Sequence, residues 1–181
     1  MRRAMKEKAV FFATNGTIVS DELCSDLLPA TIAPEEWKAL RLLTLAGYTV
    51  ILFTPDTAAV YAECRDGQGT TCSDAPPVDP ISSHHNDLSK QVTPLLQATD
   101  TLQIDLSSSW MVGDRLDSIE VGRLVGCKTV LLNDGSETTW EMTAMRWPHL
   151  IAGDMWETAC LIVTSDGSDV EGLTSSIDDD E

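Results

Sequence analysis

Apolar residues along this chain fall into two recurring patterns. Short unbroken runs such as "AVFFA", "TVILFT", "SSWMVGD" and "CKTVLLND" are too continuous for half-exposed strands, and they predict buried strands of a parallel sheet. Between them lie stretches with helical spacing. "APEEWKALRLLTLAGY" predicts a helix with Pro34 in its first turn, Glu35 and Glu36 at the positive end of its dipole, and Gly47 as terminator. Its apolar side is expected from Trp37, Leu40, Leu43 and Leu45. "KQVTPLLQATDTL" and "DSIEVGRLVG" predict two more helices, and "HLIAGDMWETACLIV" a short strand followed by a helix.

Strand and helix thus alternate, which implies right-handed crossovers and a Rossmann-like α/β domain, a parallel sheet with helices on both faces. Residues 66–87, rich in Gly, Pro, Ser and Asp, interrupt the alternation and read as a loop insertion. The domain is expected to span residues 8–164, after an N-terminal extension of residues 1–7.

Charge changes this picture at one end. The net charge is −17, which excludes nucleic acid and anionic membrane as partners held by bulk electrostatics. Beyond Thr164 the acids Asp166, Asp169, Glu171, Asp178, Asp179, Asp180 and Glu181 stand without a base, predicting a disordered acidic tail over residues 165–181. No apolar run has the length of a bilayer span, and the basic start (Arg2, Arg3, Lys6, Lys8) precedes no signal-like hydrophobic stretch, so a cytoplasmic location is expected. The 5 cysteines, scattered and odd in number, predict reduced thiols.

Parallel sheets of this kind bind ligands at the carboxyl ends of their strands. The segments to inspect are therefore "ATNGT", "FTPD", "VGDRLDS" and "LNDGSE". The first, Asn15-Gly16-Thr17, also fits a hairpin turn and an N-glycosylation site. The parallel order argues against the hairpin, and the cytoplasmic expectation against the glycan.

Two long stretches carry a family likeness. "EEWKALRLLTLAGYTVILFT" and "LLQATDTLQIDLSSSWMVGDRLDSIEVGRLVGCKTVLL" resemble the haloacid dehalogenase (HAD) superfamily of phosphohydrolases, nearest to its histidinol-phosphatase and D-glycero-D-manno-heptose bisphosphate phosphatase group. The likeness covers roughly residues 8 to 164 and implies a fold without a large cap domain. It also implies a chemical plan. In active members a DxDGT motif supplies a nucleophilic aspartate and an acid/base aspartate, a strand-end Thr or Ser grips the phosphoryl group, a lysine offsets its charge, and a GDxxxD motif helps to hold Mg²⁺.

Carried over residue by residue, the plan has gaps. The nucleophile falls on Ala13 and the acid/base on Asn15, while Gly16 and Thr17 match. Thr54 matches the phosphate-gripping hydroxyl, followed by Pro55-Asp56 in place of Asn-Gln. The lysine position aligns on Ser89, with Lys90 one residue, or about 100° of helix, away. Asp114 matches the metal-binding acid; the second acid falls on Ser118, with Asp117 one position early. The retained Asp114 is expected to cap or hydrogen-bond the following helix, and Thr54 to be a strand-end hydroxyl.

The heptose phosphatase-like group often carries a zinc loop, and this chain offers Cys64, Cys72, His84 and His85 in that region. The spacing lacks a Cys-x-Cys pair, so an eroded loop without zinc is expected.

The resulting expectation is a pseudoenzyme, a phosphatase fold kept as a binding, structural or regulatory subunit, with no cofactor. Its partner would be a protein or a second copy of the chain. Two alternatives stand beside it. One is an active Mg²⁺-dependent phosphohydrolase of sugar phosphates, with Asp21 or Asp56 as substitute nucleophile; the other is a module that binds a phosphorylated metabolite. Among the 5 tryptophans, Trp140 and Trp147 lie with Met142 and Met145 beyond the last clear strand, the segment expected to form an interface.

Overall fold

The computed structural model describes residues 6–13, 34–54, 59–62, 88–133, 135 and 141–178. Its elements run β1 (Lys8–Ala13), α1 (Pro34–Leu45), β2 (Tyr48–Thr54), β3 (Ala59–Ala62), α2 (Leu88–Leu102), β4 (Trp110–Gly113), α3 (Leu116–Val125), β5 (Lys128–Leu132), β6 (Leu150–Ala152), α4 (Met155–Ser165) and α5 (Val170–Asp178). The strands form one sheet in the order β3-β2-β1-β4-β5-β6. Five run parallel, as the continuous apolar runs predict; β3 pairs antiparallel with β2. The reason lies in chain length. Thr54 pairs with Ala59, and so short a connection can reverse the chain but cannot make a parallel crossover, which takes a dozen residues or more.

Alternate residues of β1 feed the two faces of the sheet. Val10 and Phe12 pack with Leu40, Leu43, Val50, Val112, Ile162 and Val163 on the face covered by α1 and α4. Ala9, Phe11 and Ala13 pack with Ile51, Leu95, Met111 and Val121 on the face of α2 and α3. Full burial of a side chain the size of Phe11 or Ile51 stabilises by roughly 1.5 to 3 kcal/mol. On α1 the apolar side is rotated from the expected one. Ala39 and Leu42 join Leu40 and Leu43 in the core, Trp37 packs against them, and Leu45 is 41% exposed at the helix end.

Helix α3 lies close on the sheet because of Gly122. A methyl group there would stand 2.6 Å from Met111 Cβ and 2.8 Å from Thr129 Cγ2, so a larger residue would force the helix outward. The helix ends at Gly126, whose φ of 91° gives the left-handed turn that closes it.

The acidic tail is a correction. Residues 170–178 are helical, and Ile177 is 6% exposed within the main core cluster, with Val170 and Leu173 packed against it. These residues recur at i, i+3 and i+7, an apolar stripe that lets a short acidic segment dock. A second anchor precedes it. The Tyr48 hydroxyl donates to the Asp166 carboxylate, and Lys8 Nζ and Lys128 Nζ stand 3.0 and 3.8 Å from it. Burial works against the charge of Asp166, but the Tyr48 hydroxyl and the two lysines outweigh it and hold its pKa below the usual carboxylate value. Burial first, and then the same contact with Asp166, raise the pKa of Tyr48. Lys8, Tyr48 and Lys128 open β1, β2 and β5 and Asp166 caps the end of α4, so this clasp lies at the pole opposite the ligand-binding edge.

Candidate functional site

Parallel pairing brings the carboxyl ends of β2, β1 and β4 side by side. Ala13 pairs with Phe53, one residue before Thr54, and β1 pairs with β4 through Phe12 and Val112. Gly113 marks the meeting point. A methyl group built on it would lie 3.5 Å from Ala13 Cβ and 2.4 Å from Ser118 Cβ. Two positions more than 100 residues apart in sequence therefore converge on the strand end, and only glycine permits the approach. Ala13 and Ser118 are almost fully buried, at 1% and 4% exposure. Asp114 follows Gly113 at 3% exposure and leads into α3, whose N-cap is Arg115. Asp114 thus precedes the cap position rather than filling it, which corrects that part of the sequence reading.

Asp117 has a different engagement. Its Oδ1 accepts from Arg146 Nη2 at 2.9 Å, while Arg146 Nε donates to Glu120 Oε2 at 2.7 Å. The hydrogen bond to Glu120 first, and the charges of Asp117 and its neighbours next, raise the pKa of Arg146. This fork ties the 141–149 segment to α3 and turns Asp117 toward that segment. Nothing in the sequence pairs residues 26 and 29 positions apart, so sequence reasoning missed Arg146.

The described residues do not fit a Mg²⁺ site of the implied kind. Mg²⁺ takes oxygen ligands with at least one or two carboxylates. Here Asp114 is the carboxylate at the strand end, a methyl and a neutral hydroxyl stand at positions 13 and 118, and Asp117 is bound to Arg146. Among the described residues no group of three or more His, Cys, Asp and Glu could hold a metal ion. Asn15, Gly16, Thr17, Asp21, Asp56 and the zinc candidates Cys64, Cys72, His84 and His85 lie outside the described residues. Thr54 ends β2, and Ser89 and Lys90 open α2, placed by their backbones. Of the cysteines, Cys127 and Cys160 are free thiols, and burial pushes Cys127 up to about 12.

The expected interface segment reaches the surface in part. Trp147 is 64% and Met142 37% exposed, Met145 is half-buried, and Trp140 lies outside the described residues. The remaining tryptophans divide: Trp110 is buried, Trp37 packs on the core, and Trp156 is partly exposed.

His149 pins this segment to the sheet. The Thr129 N–H donates to its Nδ1 at 2.9 Å, so the neutral ring carries its proton on Nε2. Arg123 Nη1 stands 3.1 Å from Nε2, and since both carry hydrogens this is a crowding of donors rather than a bond. Burial first, then the charges of Arg123 and Lys128, lower the His149 pKa.

Residues 91–158 match the family model described as HAD-hydrolase-like. A search of curated proteins returns no match. Among solved structures, the chain is similar to a protein described as a HAD-like phosphatase from Mesorhizobium loti, with a TM-score of 0.56 and 18% identity over 93% of this chain and 88% of that one. A second likeness, to a protein described as a phosphoglycolate phosphatase from Haemophilus somnus 129PT, has a TM-score of 0.47 and 17% identity over 72% of this chain and 56% of that one, too distant to carry an argument. At such identities the likeness is one of fold. Among the described residues no helix is long and apolar enough to cross a membrane. Residues 91–158 thus match a HAD-hydrolase-like family model, and the sheet and helices are arranged as in a HAD-like phosphatase.

Proposed function

We propose that this chain is a catalytically degenerate HAD-like protein, a phosphatase fold kept for binding as a structural or regulatory subunit in the cytoplasm. Ala13 carries the reading. At the carboxyl end of β1, where the resemblance puts the attacking aspartate, stands a buried methyl group beside Gly113. A methyl cannot form an acyl-phosphate, and the Ser118 hydroxyl cannot supply the charge of a second metal-binding carboxylate. Asp117 does not replace it, being paired with Arg146.

Phosphoryl transfer depends on placed charge, so these losses compound. Removing a nucleophile alone can cost a rate factor on the order of a million. HAD-like phosphatases typically use Mg²⁺, and the assay must supply it. Purified protein with Mg²⁺ is expected to turn over neither an aryl phosphate nor heptose bisphosphate above the buffer rate. Turnover that Asp114→Ala abolishes would overturn the proposal.

A further inference from the structure

Among the described residues the last strand of the sheet has an open side. β6 closes the strand order, and among the described residues it pairs with β5 alone. Exposure alternates along the chain that leads through it: Trp147 out, Pro148 in, His149 out, Leu150 half-buried, Ile151 out, Ala152 in. The extended strand itself is Leu150–Ala152; ahead of it His149 lies at a bend with its ring turned back to Thr129, and Trp147 lies in irregular chain. Two exposed side chains here are large and apolar, Trp147 at 64% and Ile151 at 54% exposure.

Backbone direction adds a second observation. The Ala152 carbonyl accepts from Asn133 N on the β5 side, so by the alternation of a parallel pair the Ile151 N–H and C=O face the outer edge. An edge strand of this kind is usually blunted by an outward lysine or covered by a helix or loop. Here the residue at its centre is isoleucine.

We infer that the β6 edge, residues 147–153, is a docking site for an extended basic segment of a partner protein, which adds to the sheet as a seventh strand. The inference rests on the binding role proposed above. Main-chain bonds to Ile151 would set the segment in place, and Trp147 and Ile151 would take its alternate apolar side chains. Charge selects the occupant. The chain carries −17, and Asp154 and Glu157 stand exposed just past this edge; of the cations nearby, Arg146 is matched by Asp117 and Glu120 and Lys128 by Asp166, while Arg123 stands beside His149. A second copy would bring the same negative field against this one; a basic segment is drawn to it.

The probe is a fluorescein-labelled peptide of alternating lysine and valine, about eight residues long, the length of an ordinary strand. Fluorescence anisotropy with the full chain is expected to show saturable binding. Ile151→Lys or Trp147→Ala should weaken it about tenfold or more, since each removes a central contact and both side chains are too exposed to unfold the protein. A peptide N-methylated at alternate residues, on the face that pairs, should lose a similar factor, and the alternating glutamate–valine peptide should not bind. The idea fails if the lysine peptide does not bind, if N-methylation leaves affinity unchanged, or if sedimentation shows a dimer that Ile151→Lys dissolves. A phosphatase assay on the same samples keeps the two readings apart, because turnover would refute the degenerate site without touching the peptide result.

Discussion

Replacing Asp166 by alanine should destabilise the protein far more than its place near an acidic, surface-lying C-terminus suggests. The change takes the acceptor from the Tyr48 hydroxyl, on a residue 3% exposed, and a polar group stranded in that way costs about 1 to 3 kcal/mol. It also removes the Lys8 and Lys128 pairs, whose lysine side chains are 29% and 40% exposed; together these add no more than about 1 kcal/mol. The expected loss is therefore about 1 to 4 kcal/mol, measured by urea unfolding followed through tryptophan fluorescence near neutral pH. Asp166→Asn keeps an acceptor for Tyr48 and should cost about 1 kcal/mol. Acid should erase the difference between wild type and Asp166→Asn. A carboxylate whose pKa is lowered by folding stabilises fully above its unfolded value near 3.8, and loses that contribution as pH falls through the folded value. The exposed Asp100→Asn controls for relief of general negative repulsion and should stay within about 0.5 kcal/mol of wild type. If Asp166→Ala matches that control, the clasp does not hold the end of α4 to the sheet.

The docking of α5 gives a second expectation. Ile177→Ala should speed amide exchange and proteolysis across residues 170–178 while leaving β1 and β4 protected, because a core truncation of about 2 to 5 kcal/mol exceeds what a single terminal helix can bear before it opens locally. Unchanged exchange would mean that the segment is already free. A third expectation concerns His149, whose pKa lies below the ordinary 6.5. Its contribution is complete above that value and is lost as pH falls through the lower folded value, so the stability gap between wild type and His149→Ala should narrow on acidification. A gap that is constant between about pH 7.5 and pH 5 would refute the Thr129–His149 bond.

The sheet was legible because its strands are buried on both faces, which leaves continuous apolar runs such as "AVFFA" and "TVILF". Strand β3 was not, since "AVYA" is four residues long and lies on an edge. Helix α5 was hidden by composition: acids dominate the segment, while the apolar residues at 170, 173 and 177 are few and meaningful only through their spacing. At the candidate site the family likeness pointed to positions 13 and 118, whereas the close approach at Gly113 and the engagement of Asp117 could not be read from it. Arg146 reaches Asp117 and Glu120 from beyond β5, and no local pattern records a contact made by the tertiary fold. Asp166 was missed for the same reason, its partner Lys8 lying 158 residues away.

The buried methyl of Ala13 bears on whether such a site can be rebuilt. An aspartate at position 13 would stand where the present side chain is 1% exposed, on the strand end beside Asp114. Low polarity and a neighbouring carboxylate both raise the pKa of such a group, so it would tend to hold its proton and be a poor nucleophile. Relief would require a cation, and a cation would require acids at other positions too. On the proposed reading, an acid introduced at position 13 alone would therefore lower stability and bring no chemistry; several positions would have to change at once.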